Sequence, residues 1–147
     1  MTWHTKSFDA LTTRELYEIL KGRADVFVVE QVCPYLDPDG LDYVSEHIFA
    51  EENGNIAAYC RITPKGTRFK EIGIGRLITT RKYRGTGLGR EIMRRAVDYI
   101  VKDKKERTIR ISAQAYLQKF YESLGFHIAS DVYLEDGIPH YEMVISN

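Results

Sequence analysis

Residues 81 to 93 read RKYRGTGLGREIM, with Gly85, Gly87 and Gly89 spaced two apart just before a stretch of helical character. Glycine is a poor helix former, so three of them at a helix start call for another reason. The first N–H groups of a helix have no partner within it, and the helix dipole gives that end partial positive charge. Residues without side chains let a bulky anion approach those N–H groups, and Arg84 adds a full positive charge beside them. The chemistry open to this arrangement is the holding of a pyrophosphate. Taken alone, the glycines also fit an ordinary surface turn.

Other phosphate motifs fail residue by residue. There is no G-x-x-x-x-G-K-[ST], and Ile92 stands where a dinucleotide fingerprint needs its third glycine. His4, His47, His127 and His140 show no metal-ligand spacing, so no metal is expected. Cys33 and Cys60 are too few for a disulfide framework and read as reduced thiols of a cytoplasmic protein. Cys33 has no adjacent base to make it a nucleophile. Lysine plus arginine equals aspartate plus glutamate at 21 each, which denies duplex nucleic acid its usual basic footprint. The opening MTWHTKSFDALTTREL lacks the apolar core of a signal peptide, and no apolar run approaches the roughly 18 residues that cross a bilayer. Neither a nucleic-acid nor a membrane partner is expected.

The elements that must position this turn can be read coarsely. With 147 residues, 44% of them hydrophobic, the chain suffices for one domain with a substantial core. WHTKSF suggests a strand, and Thr12 or Thr13 with Glu15 caps a helix carrying Leu16, Leu20 and Ala24, which Gly22 loosens towards its end. EQVCPYLDPDGLDYVSEH is a long acidic loop; HIFAEENGNIAAYCRITP is a hairpin turning at ENGN. In the strand FKEIGIGRLITT, Gly73 and Gly75 signal a bulge or a close backbone neighbour. Leu88, Ile92, Ala96 and Ile100 share a helical face. TIRISAQ is a strand, YLQKFYESLGF a short helix capped by Gly125, and HIASDVYL and HYEMVIS are strands joined by EDGIP. The order β-α-β-β-β-α-β-α-β-β describes a single α/β domain over residues 1–147.

RGTGLG and FYESLGF, with the strand before them, resemble the GNAT superfamily of acyl-CoA-dependent N-acetyltransferases. Arg84, Gly87 and Gly89 match its R/Q-x-x-G-x-G/A signature. VFVVEQVCPYLDPDGLD and LEDGIPH resemble the ElaA-like branch, which extends the likeness over nearly the whole chain. The resemblance implies a twisted mixed sheet flanked by helices and acetyl transfer from acetyl-CoA to an amine, without a metal. The cosubstrate would lie along the backbone of Leu77, Ile78 and Thr79 and in the turn formed by Arg84, Gly85, Thr86, Gly87, Leu88 and Gly89. The Ile78 N–H would polarise the thioester carbonyl. Tyr121 matches the tyrosine that protonates the departing thiolate; its alternative is an aromatic buried for packing. Gln114 stands where many members place an asparagine that contacts the cofactor.

Glu71 occupies the position of a general base found in some members, and its alternative is a solvated charge at a strand start. For the acceptor, a small-molecule or protein amine, the acidic loop offers Glu30, Asp37, Asp39, Asp42 and Glu46 as attractors of positive charge. The alternative is a merely solvated loop. His140, beside EDGIP, is a second candidate for base or binding, and its alternative is an ordinary surface histidine. Homodimers occur among related proteins, though no feature of this sequence shows one. Two other readings compete: a non-catalytic acyl-CoA-binding or sensing module on the same fold, and an interaction domain with an incidental glycine turn.

Overall fold

The computed structural model describes residues 1–147. Thr12 opens the first helix through a reciprocal capping box: its hydroxyl accepts from the Glu15 N–H, and the Glu15 carboxylate accepts from the Thr12 N–H. This helix, α1 (Thr13–Arg23), follows strand β1 (Thr2–Ser7) and runs directly into a π-helical stretch, Ala24–Glu30. The irregular end expected after Gly22 is therefore a widened helix. Gly22 itself brings α1 close to the sheet, because a Cβ there would lie 3.0 Å from Ile78 Cδ1.

Strands β2 (Glu46–Glu52) and β3 (Asn55–Thr63) form the expected hairpin, closed by Asn53 and Gly54, both left-handed. Then come β4 (Ile72–Thr79), α2 (Leu88–Asp98), β5 (Thr108–Gln114) and the short α3 (Gln118–Glu122). The segment HIASDVYL, expected as one strand, divides into β6 (His127–Ile128) and β7 (Tyr133–Glu135) before β8 (Ile138–Ser146). Both fragments pair with β8, β6 near its middle and β7 at its start, so the chain between them must step outward. Asp136 and Gly137 make a second left-handed turn between β7 and β8. No helix is long and apolar enough to cross a membrane.

The eight strands form one sheet in the order β1-β2-β3-β4-β5-β8-β6, with β7 also on β8. Only β4 and β5 are parallel, and they hold register at just Ile72–Ile109 and Gly73–Arg110. Beyond these pairs the two strands part. The cause lies in β4, where Gly75 opposes Arg61 and Ile78 opposes Tyr59, so that Arg76 and Leu77 together face Cys60. This is a β-bulge, with Arg76 held at φ +51°. The expected bulge is present beside Gly75, whereas the close neighbours of Gly73 are side chains of Thr63 and Phe69 rather than backbone. Gly73 is a close approach, since a Cβ there would sit 2.7 Å from Thr63 Oγ1; Gly75 borders the bulge and has open space beside it.

The core is divided by the sheet. The larger cluster packs Leu88, Ile92, Met93 and Ala96 of α2 with Tyr121 and Phe126 against one face. On the other face Ile19 of α1 packs with Phe49, Tyr59 and Ile78, and Val26 and Phe27 of the π-helical stretch join them.

Charge fixes the long loop that follows. The buried Arg23 guanidinium donates to Asp37 at 2.9 Å and to Asp42 at 2.7 Å, while buried Arg61 donates to both Asp39 oxygens at 2.8 Å. Burial works against the charge on Asp39 and Asp42, but hydrogen bonds from Arg61 and Arg23 outweigh it and hold both carboxyls below the usual range. Their stabilising contribution is complete above about pH 4 and fades as pH falls towards the lowered values. Arg23→Ala should cost about 3 kcal/mol at neutral pH, because it leaves buried Asp37 with Arg76 alone and buried Asp42 with Arg61 alone. Urea titrations at pH 7 and pH 3 should show that deficit shrinking in acid, where Asp42 can take up a proton.

Candidate active site

The parting of β4 and β5 opens a cavity of about 700 Å³ that reaches both faces of the sheet. On the α2 face it is bordered by the glycine turn, Leu88, Gly89 and Met93, together with Leu117, Phe120 and Tyr121. On the α1 face its wall is the segment from Val26 to Tyr35, Arg76, Ser112 and Gln114, and the β7–β8 hairpin with Glu135, Asp136 and His140. A ligand entering from one side can thus meet a second molecule arriving from the other.

The glycine turn has the geometry its sequence suggested. Gly85 and Gly87 take φ values of +76° and +83°, which other residues adopt only under strain. Gly87 caps α2 with no side chain over the helix end, and the first helical bond runs from the Glu91 N–H to the Gly87 carbonyl. The N–H groups before Glu91 therefore remain for a ligand. Gly89 lies against β4, where a Cβ would come 3.3 Å from Thr79 Oγ1. Arg84 is engaged more fully than expected: Nε donates to the Thr79 carbonyl at 3.0 Å, and its two terminal nitrogens grip Glu30 at 2.7 and 2.8 Å. It ties the turn both to β4 and to the π-helical stretch, and Glu30 offsets its charge.

Backbone direction along β4 corrects the expected oxyanion donor. The Thr80 N–H donates to the Ala57 carbonyl at 3.0 Å, and Thr79 and Ile78 continue in register with Ala58 and Tyr59. In an antiparallel ladder the backbone groups alternate sides, so the Ile78 N–H points to β3. The N–H groups of Leu77 and Thr79 point instead into the gap left by β5. The Arg84 bond to the Thr79 carbonyl, made from outside the β3 ladder, agrees with this. A thioester carbonyl in the gap would meet Leu77, the second residue of the bulge, rather than Ile78.

Tyr121 sits on α3 at the cavity wall, with its ring edge-on to Phe120 and Phe126. Gly125, at φ +100°, ends the helix as expected, with the Phe126 N–H returning to the Tyr121 carbonyl at 3.1 Å. Burial, with Cys60 and Tyr116 adding to it, pushes the Tyr121 phenol upward, so it stays protonated through the neutral range. Packing and proton donation are compatible in this one residue.

A model of the GNAT acetyltransferase domain matches residues 38–147. The chain belongs to the GNAT acetyltransferase family. It is 37% identical to a UPF0039 protein of Synechocystis over 98% of this chain and 94% of that one. It is likewise 37% identical to the ElaA protein of Escherichia coli, over 96% of this chain and 94% of the relative. Among solved structures, an acyl-CoA N-acyltransferase from Pseudomonas aeruginosa is 39% identical and superposes with a TM-score of 0.93 over 99% of both chains. The crystal structure of Escherichia coli ElaA gives 0.92 at 35% identity, over 99% of this chain and all of that one.

Within this GNAT fold the expected acceptor-side residues fare unequally. Glu71 lies outside the cavity at the closed end of β4, where Arg110 grips both its oxygens at 3.0 and 2.9 Å and lowers its pKa. It is placed to brace two strands rather than to take a proton. Asp37 is 4% exposed and held by Arg23 and Arg76, and Asp39 is held by Arg61 and Arg76. These two carboxylates are committed to protein cations and do not face an incoming amine. Glu30 does line the cavity, but Arg84 binds it and lowers its pKa, with Arg81 assisting.

Gln114 reaches the cavity and donates to Gln31 across the gap at 3.3 Å, while Cys33 donates to the Asp136 carbonyl at 3.5 Å. These contacts and the Glu30–Arg84 pair fasten one wall from the glycine turn to the hairpin. His140 is buried on the cavity wall and is not the surface histidine that was the alternative for it. The outward Leu77 N–H and the cavity positions of Ser112 and Glu135 were not singled out in the sequence. Ser112 was within reach, two positions before Gln114 on the same side of a strand. Glu135 depended on the hairpin folding back. Gly87→Ala should cost about 1–2 kcal/mol through its left-handed backbone, whereas Gly75→Ala, with open space beside it, should leave the denaturation midpoint unchanged or slightly raised.

Proposed function

We propose that the protein transfers an acetyl group from acetyl-CoA directly to an amine. The observation that carries this reading is the continuity of the cavity. It runs from the uncapped end of α2, past the Leu77 and Thr79 N–H groups, to the Tyr121 hydroxyl, and opens on the opposite face. The pyrophosphate binds the backbone of the glycine turn at the helix N-terminus. The pantetheine arm extends along β4 in place of the missing β5 neighbour, pairing with the outward backbone groups of Thr79 and Leu77. The Leu77 N–H then stabilises the oxyanion that forms when the amine attacks. Tyr121 gives its proton to the sulfur as the carbon–sulfur bond breaks.

The states of the two cysteines support direct transfer over an acyl-enzyme. Cys60 is fully buried, and burial pushes its thiol up to about 12, far from the thiolate a nucleophile requires. Cys33 is on the wall but is bonded to a backbone carbonyl, with no base supplied to activate it. The competing reading, a non-catalytic acyl-CoA-binding module, shares the donor side and lacks turnover.

Calorimetry with acetyl-CoA and with CoA, followed by thiol release across a panel of amines, separates these readings. Binding with amine-dependent CoA release is expected; binding without release from any amine favours the binding module, and absence of binding removes both. Tyr121→Phe should retain acetyl-CoA affinity within a few-fold and lower kcat by about 10²-fold. Gly75→Ala places a methyl group at the cavity wall and should weaken substrate use while the fold remains intact.

A further inference from the structure

Resting on the acetyl-transfer reading, we infer that His140 is the base that takes the proton from an alkylammonium acceptor, with Glu135 steadying the imidazolium formed. His140 is the one histidine on the cavity wall. It pairs in register with Gln114, so both side chains leave the same face of the sheet, the face on which Gln114 meets Gln31.

Two contacts decide the state of the ring. Nδ1 lies 2.7 Å from the Ile138 carbonyl oxygen, which can only accept, so Nδ1 carries the proton. In the neutral imidazole Nε2 is then left with its lone pair, the form a base requires. Glu135 Oε2 stands 3.5 Å from Nε2, near enough to stabilise the N–H once a proton arrives. The Tyr133 ring stacks on the imidazole at 6.0 Å and 24°, holding its plane. The carbonyl of the first β8 residue, a carboxylate and an aromatic face thus orient a buried histidine on the cavity wall.

The surrounding charges belong to several elements. Glu135 also pairs with Arg68 from the segment between β3 and β4. Asp136 is in the hairpin, with its carbonyl occupied by Cys33. Ser112 of β5 bonds Tyr133 and reaches Glu135 at 3.5 Å. Glu142, two residues along β8, is held by Arg110. Glu135 and Asp136 on the cavity wall suit a cationic acceptor, and Arg68 limits how strongly Glu135 acts.

The step balances without a further reagent. An ammonium N–H proton passes to His140 Nε2, and the freed nitrogen lone pair attacks the thioester carbon. The tetrahedral adduct then loses sulfur with the carbon–sulfur electron pair, and the sulfur takes the Tyr121 proton. The nitrogen gives up a second proton, which restores the tyrosine, and the imidazolium releases its own to water. An ammonium and a thioester become an amide, a thiol and one free proton.

The test uses the full chain, acetyl-CoA and two probe amines of similar size: propylamine, an ammonium at neutral pH, and 2,2,2-trifluoroethylamine, already neutral there. His140→Asn can keep a donor for the Ile138 carbonyl but loses the base. It should lower kcat/KM for propylamine about 10²-fold, leave the trifluoroethylamine value within a few-fold of wild type, and leave CoA affinity unchanged. Glu135→Gln, which keeps the side chain's size and loses its charge, should lower kcat/KM for propylamine and leave the trifluoroethylamine value within a few-fold of wild type. Equal losses on both amines, in His140→Asn or in Glu135→Gln, overturn the assignment. A wild type that binds acetyl-CoA but turns over neither these probes nor any amine of the panel removes the acetyl-transfer reading, and the base with it; one that turns over other ammonium acceptors but is unaffected by His140→Asn removes the base alone.

Discussion

Two parallel strands that pair at only two positions create the space on which everything else depends. β4 and β5 meet at Ile72–Ile109 and Gly73–Arg110 and then separate, which would ordinarily leave costly unpaired backbone in the interior. The bulge at Arg76 and Leu77 supplies the bend, and the groups left unpaired on β4 face the cavity. Arg76 pays for its left-handed backbone at φ +51° with ion pairs to Asp37 and Asp39. A local irregularity in one strand therefore joins the sheet to the acidic loop.

That loop has a structural task that its composition conceals. Arg23, Arg61 and Arg76 gather Asp37, Asp39 and Asp42 into one partly buried network, anchoring the loop across the α1 face. Such networks add little net stability compared with apolar packing, but breaking one is expensive, which fixes the loop in a single arrangement. The wall of the cavity then follows from the contacts Glu30–Arg84, Gln31–Gln114 and Cys33–Asp136. Arg84 joins the glycine turn and β4 to this wall, since it touches both Thr79 and Glu30.

Local patterns were legible where the cause was local. The capping box at Thr12 and Glu15, the turn at Asn53–Gly54 and the left-handed end at Gly125 each depend on residues within a few positions. The glycine turn was legible for the same reason. The division of HIASDVYL was not, because β6 and β7 owe their existence to separate stretches of β8. Glu71 shows the same limit at the site: its position before the signature fits a base, yet Arg110, on another strand, claims both its oxygens.

The sequence by itself determined the order of elements, the phosphate-competent turn with its glycines, and the likeness to a family that Tyr121 and RGTGLG carry. Tertiary structure alone decided which charges are spent and which face the cavity. Asp37 and Asp39 look as available as Glu135 in the chain, and only folding commits the first two to two arginines each while setting Glu135, with one oxygen on Arg68, beside His140. It also decided that Leu77, not Ile78, turns its N–H to the gap, since ladder register is a relation between strands. Propensities and turns act over a few residues, whereas pairing of charges and backbone groups depends on distances that the chain defines only once it has closed on itself.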